Sequence, residues 1–373
     1  MSEIIGNGSP TSTSTAQGLE GYVSHLEATA PAGFLQPNVL LDLSSRINIA
    51  PALDSLPNGI SVKDFQDINW LSALTECATT QYADEFAKAG DAHNAPWLTR
   101  FTRNVWEPDE KGHSTPFQLI LMQMGVPQDV IQAEVARVQS LDYIHESGDK
   151  PVQLTTFGMA QELLTRNWYH LEDKILRDAS PEAGEMVRRV GVREALHTKW
   201  YRDMTAMQVE QNTGLIPYVG EALRRFKLPG NILVPELSAK ADGWLLAMSD
   251  GDLSALKKEV VKLSHAAVGS NTKNLGKLLL ELGAPNETWV ERATARAATK
   301  ALNVLPGNTG YGLLGEGVLQ AVGLDGLYDK PDEANIPGKI RGVFRDFVSN
   351  RVNNKLDQGF GFGGNSGSKP ATS

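Results

Sequence analysis

The sequence predicts an all-α protein, and three observations carry the prediction. Alternating apolar and polar runs of the kind that mark strands are nearly absent. From Val62 to about residue 210, apolar residues recur instead at three- and four-residue steps. The interruptions carry glycine and proline: Gly90, Gly125-Val126-Pro127 and Gly148-Asp149-Lys150-Pro151.

Taken in order, residues 1–18 (MSEIIGNGSPTSTSTAQG) have the Ser/Thr-rich composition of a disordered tail. The lead-in over 19–60 contains Pro31, Pro37, Pro51 and Pro57, which predicts extended chain with short helical pieces. Helices are expected at about 63–89, 95–123, 127–140, 153–177 and 181–210, making residues 19–230 a bundle. Residues 231–357 read as a helical C-terminal extension. It has further helices over 234–305, a Gly-rich connection over 306–335 and a last helix at 337–356. Residues 358–373 (QGFGFGGNSGSKPATS) read as a second disordered tail. In the Gly-rich connection, Gly310-x-Gly312-x-x-Gly315 matches the dinucleotide fingerprint letter for letter. It follows a helical segment and lies outside any βαβ pattern, so a nucleotide site is not assigned.

Composition narrows the function. The chain has 373 residues, 41% hydrophobic and 21% charged, as expected of a soluble globular protein. A formal net charge of -9 argues against non-specific nucleic-acid binding. No stretch approaches the ~18 apolar residues of a membrane span. No Lys or Arg precedes Arg46, unlike a signal or transit peptide, so a cytoplasmic location is expected. The single cysteine, Cys77, excludes an internal disulfide, a CxxC zinc site and a Cys-ligated iron–sulfur cluster. Any bound metal must therefore be held by His and carboxylate.

Such residues stand where a bundle core is expected. In the helix containing VREALHTKWYRD, Val187, Val190, Glu194, His197, Tyr201 and Met204 share one face. A carboxylate on an inner face is costly unless its charge is compensated. Three other helices carry the same anomaly. Glu76 lies in line with Ala73, Thr80 and Ala83; Glu110 and His113 with Trp106, Phe117 and Ile120; Glu162 with Gly158, Thr165 and Tyr169. Four Glu and two His, the latter in Glu-x-x-His pairs, are the ligand set of ferritin-like di-iron or di-manganese bundles. A third acidic-x-x-His pair, Asp142 and His145, is set aside because its helix is ending there.

In these segments the chain resembles the soluble acyl-carrier-protein desaturases. LTECATTQY resembles the family's TEE-x-L-PTYQ, and RNVWEPDEKGH its R-x-W-T-x-E-E-x-R-H. TTFGMAQELLTRN resembles its TFQE-x-x-T, and VREALHTKWYRD its DE-x-x-H helix. The order matches, and the gaps between segments are close to the family's, with a slightly shorter first loop. The resemblance covers about residues 60–210. Two features depart from it. Arg193 stands where the family has an acid, and Pro108 and Pro116 flank the second ligand pair.

The resemblance implies a ferritin-like bundle with Glu76, Glu110, His113, Glu162, Glu194 and His197 around two Fe ions. It also implies Thr165 near the oxygen-binding side, and O2 as co-substrate. The implied reaction introduces a double bond into a saturated acyl chain carried on acyl carrier protein, with electrons from a ferredoxin, by a homodimer. Phe117, Leu121, Met159, Leu164 and Tyr169 are candidates to line an acyl channel or simply to fill the core. Both partner proteins are acidic, so basic residues must cluster locally: Arg188, Arg189 and Arg193, the run Arg224-Arg225-Phe226-Lys227, or Lys257, Lys258 and Lys262. A related hydroxylase or N-oxygenase, or a metal-free helical interaction protein, are the alternatives.

Overall fold

Ser61 opens the helical core with a reciprocal cap: its hydroxyl accepts from the Asp64 N–H, and its own N–H donates to the Asp64 carboxylate. This is seen in a computed structural model that describes residues 18–30, 37–271, 273–275 and 277–278. Among those residues there are helices and no strands. The expectations over 279–373, including the Gly-rich connection and the last helix, lie outside the described residues, as do those for residues 1–17.

Short helices α1 (Gly18–Thr29), α2 (Pro37–Ser44) and α3 (Ala50–Leu53) form the lead-in. Helix α1 is tied across the core, Tyr22 donating to Asp203 at 3.1 Å and Arg100 meeting Glu20 at 2.9 Å. Then follow α4 (Val62–Glu76), α5 (Thr79–Ala92) and α6 (Pro96–Phe101), a π-helical turn over Thr102–Trp106, α7 (Glu107–Glu110), α8 (Ser114–Gln123) and α9 (Gln128–Gln139). The long helices α10 (Pro151–Leu176) and α11 (Pro181–Gln211) each begin with proline, which needs no N–H there. Beyond them come α12 (Ile216–Arg224), α13 (Gly230–Leu233), α14 (Pro235–Ser238), α15 (Ala241–Met248) and α16 (Ser254–Ala267). No helix among the described residues is long and apolar enough to cross a membrane.

Two predicted helices are divided. The helix expected at 63–89 stops at Glu76 because the Thr79 hydroxyl takes the Glu76 carbonyl, at 2.9 Å. It resumes at Thr79 and runs through the break expected at Gly90. The absence of a side chain at Gly90 instead lets Thr99 of α6 approach. The helix expected at 95–123 falls into pieces. Pro108 would clash with the carbonyl of residue 104 in a regular α-helix, and the turn before it widens so that the Glu107 N–H reaches Thr102 O. Gly112 then breaks the helix at φ +121°, a conformation other residues rarely adopt.

α10 and α11 run antiparallel, Thr155 meeting Thr205 at one end and Tyr169 meeting Gly191 farther along. Their close approach depends on Gly158, where an added Cβ would lie 2.8 Å from the Tyr201 ring. That ring is caged by Phe86, Phe101 and Trp106 and has little room to move. Gly158→Ala should therefore cost about 1–3 kcal/mol in urea unfolding of the metal-free protein. An unchanged midpoint would show that this contact does not limit the spacing.

The other two ligand-bearing segments close on this pair. α8 is held to α4 by the Ser114 hydroxyl on Ala73 O, at 2.7 Å, and to α10 by Phe117 on Tyr169. The start of the expected extension also packs on these helices. Trp244 donates to Asp64 at 3.1 Å, and Glu259 accepts from Arg166 and Asn167 at 2.6 and 3.1 Å.

Candidate metal centre

The six residues predicted as ligands converge inside this core, each less than a tenth exposed. Glu76 and Glu110 are the last residues of α4 and α7, and His113 sits in the break before α8. Glu162 comes from the middle of α10, Glu194 and His197 from the middle of α11. They form two overlapping groups. Glu76, Glu110, His113 and Glu194 make one; Glu110, Glu162, Glu194 and His197 make the other. Within each group the offered ligand atoms lie within 4.8 Å of one another, the spacing at which one ion can be held.

Both imidazoles turn Nδ1 inward. His113 Nδ1 lies 2.6 Å from Glu110 Oε2 and 2.8 Å from Glu194 Oε1. His197 Nδ1 lies 3.1 Å from Glu110 Oε1 and 3.4 Å from Glu194 Oε2. The rings are parallel within 13°, with centroids 5.7 Å apart. Short as some of these separations are, Glu110 Oε2 and Glu194 Oε2 receive no well-directed hydrogen bond. Under-satisfied acceptors converging from two helices are what a cation would satisfy. An all-carboxylate and imidazole donor set suits iron or manganese.

The charges point the same way. Burial, then the charges of Glu194 and Glu110, pushes Glu76 and Glu162 well above the usual carboxylate range. Burial disfavours a charged His113 and His197, but the carboxylates around them outweigh it and raise both. Glu194 is the exception: burial opposes its charge, yet His113 and the hydrogen bonds it receives hold it low. Without a cation, then, the cluster stores protons. Metal uptake should release protons at neutral pH, and affinity should rise with pH as the ligands lose them. A pH indicator added during metal titration checks this, and metal uptake without proton release would contradict it.

Around the six stand partners that periodicity did not reveal. Trp106 Nε1 donates to Glu162 Oε1 at 3.1 Å, and the Tyr169 hydroxyl donates to Glu76 Oε1. Helical periodicity puts both aromatics on the faces they occupy but is silent on these bonds. Nor does it single out Asp109. Its carboxylate lies 2.7 Å from His197 Nε2 and 2.7 Å from Arg193. Asp109 holds a proton of His197 on Nε2 and leaves Nδ1 to face the cluster. The only trace of it in the sequence is the acid preceding Glu110.

Arg193, the departure from the desaturase pattern, thus has a place: both its Nε and Nη2 meet Asp109, at 2.7 Å. Arg193→Met should strand the buried Asp109 charge and cost about 3 kcal/mol by denaturant unfolding, with weaker metal binding. A change under about 0.5 kcal/mol would place the pair among ordinary surface bridges.

Thr165 is half-buried, and its hydroxyl donates to the helix's own carbonyls, Gln161 O at 3.1 Å and Glu162 O at 3.3 Å. Of the channel candidates, Phe117, Leu121, Met159 and Tyr169 are core residues, and Leu164 is half-buried. Most of the basic candidates have acidic partners. Arg188 and Arg189 share Glu185, Arg225 meets Glu221 and Lys227 meets Glu146. Lys262 is exposed, while the side chains of Arg224, Lys257 and Lys258 lie outside the described residues.

No protein-family model matches the chain, and no curated protein matches it in sequence.

Proposed function

We propose that the protein is an oxygen-dependent di-iron oxidoreductase of the ferritin-like type, acting as an acyl-carrier-protein desaturase. The observation that carries this reading is that Glu110 and Glu194 belong to both ligand groups, each of which adds one further Glu and one His. Glu76, Glu110, His113 and Glu194 would hold one ion, and Glu110, Glu162, Glu194 and His197 the other. Four carboxylates then balance two divalent cations.

A bound iron pair would supply activation of O2 and removal of two hydrogens from unactivated carbons. The chain's own residues do the rest. Asp109 and Arg193 orient His197; Trp106 and Tyr169 hold the terminal carboxylates by hydrogen bonds. The surrounding core keeps bulk water from the site. Two electrons per turnover would come from a ferredoxin, and the acyl group would arrive on acyl carrier protein, with a homodimer as the implied assembly. The partners must dock where enough basic charge is unpaired, which the ion pairs of Arg188, Arg189, Arg225 and Lys227 reduce.

The test begins with metal analysis after growth with ample iron, and an absorption spectrum of the oxidised protein. About two irons per chain are expected, followed by double-bond formation with acyl carrier protein, ferredoxin and reductase. Protein that refuses iron under reducing, anaerobic conditions would instead support a helical interaction protein. The Arg193–Asp109 pair favours one second reading, a related hydroxylase or N-oxygenase, since it changes the charge beside His197. Product analysis separates the two: an oxygenated product with no alkene would select it.

A further inference from the structure

The side chains bonded to the six ligands lead to different places. Trp106 and Tyr169, behind Glu162 and Glu76, are core residues. Asp109, behind His197, is bonded in turn to Arg193, whose side chain is 12% exposed. Two contacts of 2.7 Å each therefore join solvent to an imidazole that faces the cluster. Electron tunnelling falls off more slowly along covalent and hydrogen bonds than across gaps. Of the three partners, Asp109 offers the bonded way in.

The surface at that point is the outer stripe of α11. Glu185, Arg188, Arg189, Val192, Leu196 and Lys199 recur there at three- and four-residue steps, with Arg193 at the edge. Both ends of the stripe are covered. Tyr22 of α1 donates to Asp203, and Arg46, just past α2, meets Glu182 at 3.5 Å. Between those ends, among the described residues, the Arg193–Asp109 pair is the one hydrogen-bonded or ionic link from the stripe to another helix. Val192 is 46% exposed, and Leu196 beside it is half-buried. The charges around this apolar centre are uneven. Arg188 and Arg189 share a single carboxylate, Glu185. The Lys199 side chain is 51% exposed, while its partner Asp203 is 11% exposed and lies beneath it. Pairing weakens these bases without cancelling them, and the outermost charge is positive on a chain of net charge -9. Such a face complements an acidic protein surface.

We propose that the outer face of α11 around Val192 is the docking site of a small acidic protein that carries one electron at a time. Arg188, Arg189 and Lys199 steer the partner in, Val192 and Leu196 seat it, and the electron crosses by Arg193, Asp109 and His197. The inference rests on reading the cluster as an iron pair reduced from outside. Two carrier molecules dock in turn. Each is oxidised by one electron, and the iron pair is reduced by two.

The test uses the full, iron-loaded chain and a reduced, acidic [2Fe–2S] ferredoxin, with the loss of the oxidised iron spectrum followed in a stopped-flow instrument. Arg189→Glu combined with Lys199→Glu should slow the reduction about tenfold or more at low salt and flatten its salt dependence. Val192→Asp should slow it on the order of tenfold by placing an unpaired charge at the centre of the contact. Reduced methyl viologen, which needs no docking face, should reduce all of these proteins at the wild-type rate. Lys227→Glu, in the competing basic run, should leave both rates unchanged. Equal slowing with ferredoxin and viologen would mean damage to the iron site and overturns the proposal. So does slowing by Lys227→Glu alone, which would move the docking face to that run. Light scattering covers the remaining occupant: a dimer that Val192→Asp turns into a monomer makes this face a subunit interface and overturns the proposal as well. If wild type binds no iron, the metal-centre reading fails and the proposal falls with it. If it binds iron and ferredoxin reduces every variant at the wild-type rate, or reduces none of them while viologen does, the proposal fails alone.

Discussion

Glu194→Gln should empty both proposed metal positions at once, taking iron from the expected content of about two per chain to near zero. Glu194 belongs to both ligand groups, so neither keeps its set of ligands without it. It should also weaken the metal-free protein, because the ionised Glu194 accepts from His113 at 2.8 Å inside the core. Breaking a buried charged pair of this kind costs about 3–5 kcal/mol. Glu76→Gln should behave differently. Glu76 belongs to one group only and is held as the neutral acid, so a neutral amide should leave the metal-free fold nearly intact and remove one iron. Elemental analysis and thermal melts with and without iron read both effects. Equal metal loss from the two variants would contradict a shared role for Glu194.

Glu172→Gln should stabilise the metal-free protein, and by an amount that grows with pH. The native carboxyl is raised from 4.5 to about 8 by burial. Below the unfolded value both states are protonated, and wild type and variant should differ little. As pH rises through that window, the unfolded chain loses its proton and the folded one does not, so wild-type stability falls. Once pH passes the native value, the loss is complete, on the order of 5 kcal/mol. Gln does not titrate and escapes it. Urea unfolding of both proteins at pH 5, 7 and 9 is the check; a difference independent of pH would remove Glu172 from the buried, neutral state described here.

How much of this was readable along the chain depends on distance in sequence. Helical periodicity is a local property, and it was enough to specify an all-α protein and to put Glu76, Glu110, His113, Glu162, Glu194 and His197 in line with apolar neighbours. It misplaced helix ends where side chains compete for the backbone. The Thr79 hydroxyl ends α4 at Glu76, and Pro108 widens the turn before α7. These signals were present as Thr and Pro, but their effect depends on which hydrogen bond wins.

The hydrogen bonds between helices that support those six residues were not readable from the sequence. Tyr169 meets Glu76 across 93 residues, Arg193 meets Asp109 across 84, and Trp106 meets Glu162 across 56. Arg193 read as a departure from a pattern and as a candidate surface charge; folded, it braces the carboxylate behind His197. Nothing in the sequence singles out Glu172, because nothing local distinguishes a carboxyl facing water from one facing other helices. The period of an α-helix tells which side chains share a face. Which faces meet, and so whether Glu110 and Glu194 are shared and Glu172 is shut away from water, follows from packing among helices far apart in the chain.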